Sequence, residues 1–281
     1  MIRRLGCIAV GCLLALAVAG AQQPPGPEAS TTTAPGARTT TGPATTTTAV
    51  PLETIGSSTP PIGAPIGAIV LFDGENTDAW VMRKDGGPCK WQVLEDESMV
   101  AGGGDIISKQ NFEDFQLHVE FWLPNSPPEV KGQARGNSGV YLQGRYEIQV
   151  LDSYGLHAEK HGCGAIYGKK KPRENACTPP QTWQSYDIKF TAPRFDEEGN
   201  KIKSARVSVI HNGVTIHDDV EIDGPTRAAM DDEEQPGPAP IMLQDHGSPV
   251  RFRNIYVIPA KPEPSEKKAP TTRPAAVRPA L

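Results

Sequence analysis

RGNSGVYLQGRYEIQVLDSYG, residues 135–155, is the stretch from which the rest of the chain can be read. Two strand-like runs, 139–143 and 145–151, meet at Gly144. Successive residues of a strand face opposite ways. Arg145, Glu147 and Gln149 therefore share one face, and Tyr146, Ile148 and Val150 share the other. A carboxylate and an amide held side by side on a rigid sheet suit the hydroxyls of a sugar. An ordinary solvated sheet face would carry similar residue types, so this strand alone does not settle its use.

Outward from this hairpin the same period recurs. In 115–123 Leu117, Val119, Phe121 and Leu123 form an apolar side, and Gln116, His118, Glu120 and Trp122 the other. Residues 91–93 and 98–100 flank an acidic turn. Residues 183–191 read as a long strand, and 206–211 and 214–221 as a hairpin through Asn212-Gly213, a strong two-residue turn signal. Residues 240–246 and 250–258 close the block, and the acidic, proline-bearing segment 231–240 reads as an exposed loop. No stretch keeps a helical period. Roughly ten short strands separated by turn signals predict an all-β sandwich or barrel with a face free for a ligand.

The ends differ in composition. Arg3 and Arg4 precede an apolar run over 5–19 that ends in Ala19-Gly20-Ala21, the pattern of a cleaved secretory leader. The expected organisation is a leader (1–21), a Thr/Pro-rich spacer without fixed structure (22–66), one domain (67–259) and a Pro/Lys-rich tail (260–281). An exported protein, periplasmic or at the cell surface, follows from that reading. The alternative is a lipoprotein leader with Cys12 as the lipidated residue, which would tether the chain to a membrane. Of the five cysteines, Cys7 and Cys12 leave with the leader. Cys163 and Cys177 would close the shorter loop in an oxidising compartment, leaving Cys89 as a buried thiol. The net charge of −5 argues against nucleic acid as a partner. The run Lys169–Lys171 reads most simply as a solvated loop.

Three polar clusters sit on strands or strand ends: His118 with Glu120, Glu147 with Gln149, and Gln244 with His246. Two carboxylates and a histidine on one sheet face would supply general acid–base chemistry, provided their surroundings split the pKa values. Asp152 and Tyr167 are candidates for ligand contact, with turn chemistry and packing as their ordinary alternatives. His157, His161 and Cys163 lack a second ligand pair for zinc, and the Gly102–Gly104 run precedes a strand, not a phosphate-cradling helix. No metal or cofactor is expected.

The blocks LFDGENTDAW (71–80), DFQLHVEFW (114–122), GNSGVYLQGRYEIQVLDSYG (136–155), GAIYG (164–168), WQSYDIKFTAPRFD (183–196) and LQDHGSPVRFRNIYV (243–257) occur in order. On them the chain resembles the 3-keto-disaccharide hydrolase family. That resemblance implies a concanavalin-like jelly roll of two curved antiparallel sheets, acting on glycosides already oxidised at C3 of the sugar. It implies Glu120, Glu147 and His246 as catalytic groups gathered in one cleft. It also implies Asn137, Tyr141, Gln149, Asp152, Tyr167 and Arg253 as contacts for an oligosaccharide or glycoside. At Arg253 the alternation breaks between Phe252 and Ile255, which predicts a bulge. A non-catalytic carbohydrate-binding module on the same scaffold is the competing expectation.

Overall fold

The computed structural model describes residues 63–260. The expected leader, nearly all of the spacer and the tail beyond Ala260 lie outside the described residues. In chain order the strands are β1 (Ile69–Phe72), β2 (Trp80–Met82), β3 (Gln92–Val93), β4 (Met99–Val100), β5 (Ile106–Phe112), β6 (Phe115–Trp122), β7 (Ser138–Leu142) and β8 (Tyr146–Val150). They continue with β9 (Trp183–Thr191), β10 (Arg194–Phe195), β11 (Lys201–Lys203), β12 (Ala205–His211), β13 (Val214–Ile222), β14 (Ala239–Leu243) and β15 (Arg251–Pro259). Helix among the described residues is confined to one 3-10 turn, Gly132–Ala134.

Two antiparallel sheets form a sandwich. The larger runs β13-β12-β9-β6-β15-β4-β3, with β1 paired to β15; the smaller runs β2-β5-β14-β7-β8. Their facing sides make one core. Leu117, Val119 and Phe121 of β6, Ile188 and Phe190 of β9 and Val257 of β15 meet Val140, Leu142, Tyr146, Ile148 and Val150 of the smaller sheet. The Tyr146 and Phe190 rings are 5.4 Å apart across the interface. Each such fully buried side chain contributes about 1.5–3 kcal/mol of transfer free energy, opposed by chain entropy. The alternation read from 115–123 and 145–151 is thus the alternation between core and outer faces.

Turns follow their chemistry. Asn212 and Gly213 join β12 to β13 with φ of +50° and +81°, as their sequence predicts. The register shift between Arg253 and Tyr256, with Asn254 at φ +47°, is the predicted bulge. Two readings are corrected. Segment 231–240 is not simply an exposed loop: the Glu234 side chain is nearly buried because it accepts the Tyr146 hydroxyl at 2.6 Å and the Lys201 ammonium at 2.6 Å. Cys163 and Cys177 are both free thiols. They are buried; Cys177 Sγ donates to the Thr178 carbonyl at 3.5 Å and Cys163 Sγ lies 3.2 Å from the Tyr186 hydroxyl, while Cys89, expected buried, is only partly so.

Candidate active site

The hairpin β7–β8 places Tyr141 opposite Glu147 and Gly139 opposite Gln149. All four lie on the side of the smaller sheet turned away from the core. The turn is Gln143-Gly144, both with positive φ. Gln143 tolerates this because its amide nitrogen donates to the carbonyls of Phe112 (3.0 Å) and Gly237 (3.3 Å). Gly139 has a different role. A Cβ there would lie 2.5 Å from Glu147 Oε1 and 2.9 Å from the Tyr141 ring. The missing side chain is the space the carboxyl occupies.

Loops close the free edge of β8. Tyr167 N–H donates to the Glu147 carbonyl (3.1 Å), Gln149 N–H to the Ala165 carbonyl (2.9 Å), and Glu147 N–H to Thr226 Oγ1 (3.0 Å). The segment around Thr226 then wraps the β7–β8 turn. Met230 N–H donates to Gly144, Arg145 pairs with Asp231 at 3.1 Å, and the Tyr141 hydroxyl donates to the Arg227 carbonyl at 3.2 Å. His246 follows β14 on a loop pinned by Asp245, whose carboxylate accepts Gly104 N–H at 2.8 Å.

These elements enclose a pocket of about 260 Å³. Glu147, Gln149, Asn137, Tyr141, Tyr167 and His246 all line it, together with Gln133, Arg227, Ala228 and Gln244. Glu147 is 3 % exposed, and no basic side chain pairs with it among the described residues. Burial pushes its carboxyl up to about 8; the Tyr141 hydroxyl opposes this and the Asp105 charge adds to it. The Gln149 amide, with its nitrogen turned to the carboxyl, donates to Glu147 Oε1 at 2.8 Å and to the Ser138 carbonyl at 2.9 Å. Gln244 donates to the Tyr141 hydroxyl at 3.2 Å. Burial and the neighbouring Glu147 push the Tyr141 phenol far above its ordinary range, so it stays a neutral hydroxyl.

Three expected site residues lie elsewhere. Glu120 is on β6 in the larger sheet, on that sheet's own outer side, so Glu120, Glu147 and His246 do not share a cleft. Its carboxylate accepts Arg253 Nε at 2.7 Å and Asn254 Nδ2 at 2.9 Å. Arg253 is held there too, with its guanidinium 4.1 Å from the Trp183 ring centre. The same outward parity on two different sheets points in opposite directions. Asp152 is buried and tied to Arg135 Nη2 at 2.5 Å, and it is not among the residues that line the pocket. The His157, His161 and Cys163 spacing also makes no cluster: Cys163 is buried by Tyr186, whereas His161 is exposed against the Tyr167 ring. Conversely, Gln133, Arg227 and Ala228 had no sequence signal, because all three sit outside strands where no period applies. Gln244 carried one, through its pairing with His246 at the end of β14.

The profile of a family described as the 3-keto-alpha-glucoside-1,2-lyase-like domain matches residues 67–258. A crystal structure of a candidate glycosyl hydrolase from Parabacteroides distasonis is 39 % identical, with a TM-score of 0.63 over 70 % of this chain and 86 % of that one. A second candidate glycosyl hydrolase from the same organism is 23 % identical, with a TM-score of 0.49 over 68 % and 93 % of the two chains. No curated protein matches.

Proposed function

Since the chain belongs to the 3-keto-alpha-glucoside-1,2-lyase-like domain family, we propose that it is a carbohydrate-active enzyme that cleaves glycosides oxidised at C3 by elimination across C1 and C2. The observation that carries this reading is the union of Glu147 and His246 in one polar pocket, with Glu147 holding its proton near neutral pH. A 3-ketone acidifies the neighbouring C2–H. His246, on the open side of the pocket, takes that proton. The electron pair of the C2–H bond forms the C1=C2 bond as the C1–O bond to the aglycone breaks. The departing oxygen takes the proton of Glu147. Addition of water across C1=C2 then completes a net hydrolysis, with no change in oxidation state. Asn137, Gln149, Tyr141 and Gln244 supply fixed hydrogen-bonding groups for the sugar hydroxyls and the ketone oxygen. This scheme needs one base and one acid of separated pKa. It does not need the two carboxylates about 5 or 9 Å apart that ordinary glycosidases use.

The test is incubation with an aryl 3-keto-glucoside and with its unoxidised parent. Aglycone should leave the keto form alone, and Glu147→Gln and His246→Ala should each lower the rate about 10²–10⁴-fold. Loss of aglycone in the wild type should slow as pH rises through about 8. Binding of both sugars without release of aglycone from either would leave a carbohydrate-binding module instead. The leader pattern at residues 1–21 supports placing this activity outside the cytoplasm.

A further inference from the structure

A second concavity, of about 630 Å³, lies on the loop that also carries Tyr167. Its walls hold Lys160, Lys169, Lys170, Lys171 and Arg173 against a single carboxylate, Glu159. All five cations are exposed. Arg173 meets Asp218 at 3.4 Å where both are open to water, and Lys169 donates to the neutral carbonyl of Asp223. Lys160, Lys170 and Lys171 pair with no carboxylate among the described residues. In a chain of net charge −5 this groove is a concentrated positive field. On its floor burial holds His217 below its ordinary pKa against the opposing hydrogen bond of Nε2 to the Gly164 carbonyl (2.8 Å), and the Lys170 and Arg173 charges add to the lowering.

The groove has a fixed place beside the pocket. Ile166 bridges to Ile148 of β8 and to Lys170, and Gly168 N–H donates to the Lys160 carbonyl. The same turn therefore presents Tyr167 to the pocket and the lysines to the groove. On the pocket rim Arg227 is exposed and meets no carboxylate among the described residues. Positive charge thus faces a ligand from the rim and from the neighbouring groove.

We propose that the groove binds the anionic remainder of the substrate, so that the natural ligand is an acidic oligosaccharide bearing carboxylates or sulfates beyond the ring held in the pocket. A membrane would also attract lysines, but these line a concavity that shares its loop with the sugar pocket. The inference rests on the carbohydrate reading of that pocket, not on turnover.

The test compares binding of hexagalacturonate and cellohexaose by the full chain, wild type and Lys169→Glu/Lys171→Glu. The acidic sugar should bind at least about tenfold tighter than the neutral one, and that preference should vanish in the double variant and in about 0.5 M NaCl. Turnover of a neutral aryl 3-keto-glucoside should be the same in both proteins, which separates failure of this inference from failure of the proposed reaction. Equal affinity for the two sugars would overturn the proposal. So would an acidic-sugar affinity unchanged by the double substitution, or binding to phosphatidylglycerol vesicles without binding to hexagalacturonate.

Discussion

At the scale of the residue, Glu147 shows the cost of a tuned acid. A carboxyl of ordinary pKa 4.5 that titrates near 8 in the folded protein keeps a proton that the unfolded chain has lost. Its penalty is absent below pH 4.5, grows as pH rises between the two values, and is complete above about 8. Glu147→Gln should therefore leave the melting temperature at pH 4 unchanged and raise it at pH 8, while catalysis falls. A thermal melt series over that range checks this, and equal shifts at both pH values would contradict it. The carboxyl is tolerated because Gln149 donates to it and because Gly139 leaves it room. The alternation of 145–151 made Glu147 legible as an outward residue. It could not reveal the space above Gly139, which depends on register with the neighbouring strand.

At the scale of the element, the outer side of β6, β9 and β15 carries an ionic network. His118 Nδ1 lies 2.6 Å from Asp187, its ring stacks on Tyr256 at 5.0 Å, and its Nε2 is 3.6 Å from Glu120, which Arg253 binds in turn. Burial alone would lower the His118 pKa, but its bonds to Asp187 and Glu120 win and raise it to about 9. For Glu120, burial acts upward, while His118, Asn254 and Arg253 together take it down to about 2. The stabilisation from His118 is complete below its ordinary 6.5 and is lost as pH climbs through about 9. That from Glu120 is complete above 4.5 and is lost as pH falls through about 2. Removing one member leaves buried charge without its partner. Glu120→Gln should cost about 3 kcal/mol in urea unfolding, with kcat on the keto-glucoside retained. A loss of kcat comparable to that in Glu147→Gln would return Glu120 to the reaction.

At the scale of the whole molecule, one core joins both sheets, and the pocket is the reverse side of a strand that helps to fill it. Ile148 is buried in that core between Glu147 and Gln149. Ile148→Ala should destabilise the domain by about 2–5 kcal/mol. Activity and β-sheet circular dichroism should then disappear together on heating. Activity lost well before the sheet signal would mean that the pocket is a separately melting part.

The blocks of alternation and the turn residues determined that this chain is all-β, which side chains of each strand are apolar, and where hairpins and the bulge at Arg253 fall; that it is a sandwich and not a barrel was implied by the family resemblance and decided by the strand pairing. Strand class, apolar faces and turns depend on bonds and sterics within a few residues, which a sequence carries openly. Sheet membership is different, because it is set by pairing with strands far away in the chain. Glu120 and Glu147 have the same local pattern, yet β6 pairs with β9 and β15 while β8 pairs with β7. Only the tertiary structure could decide that their outward sides look away from each other, and that Arg227, Gln133 and His246 come from loops to complete the pocket around one of them.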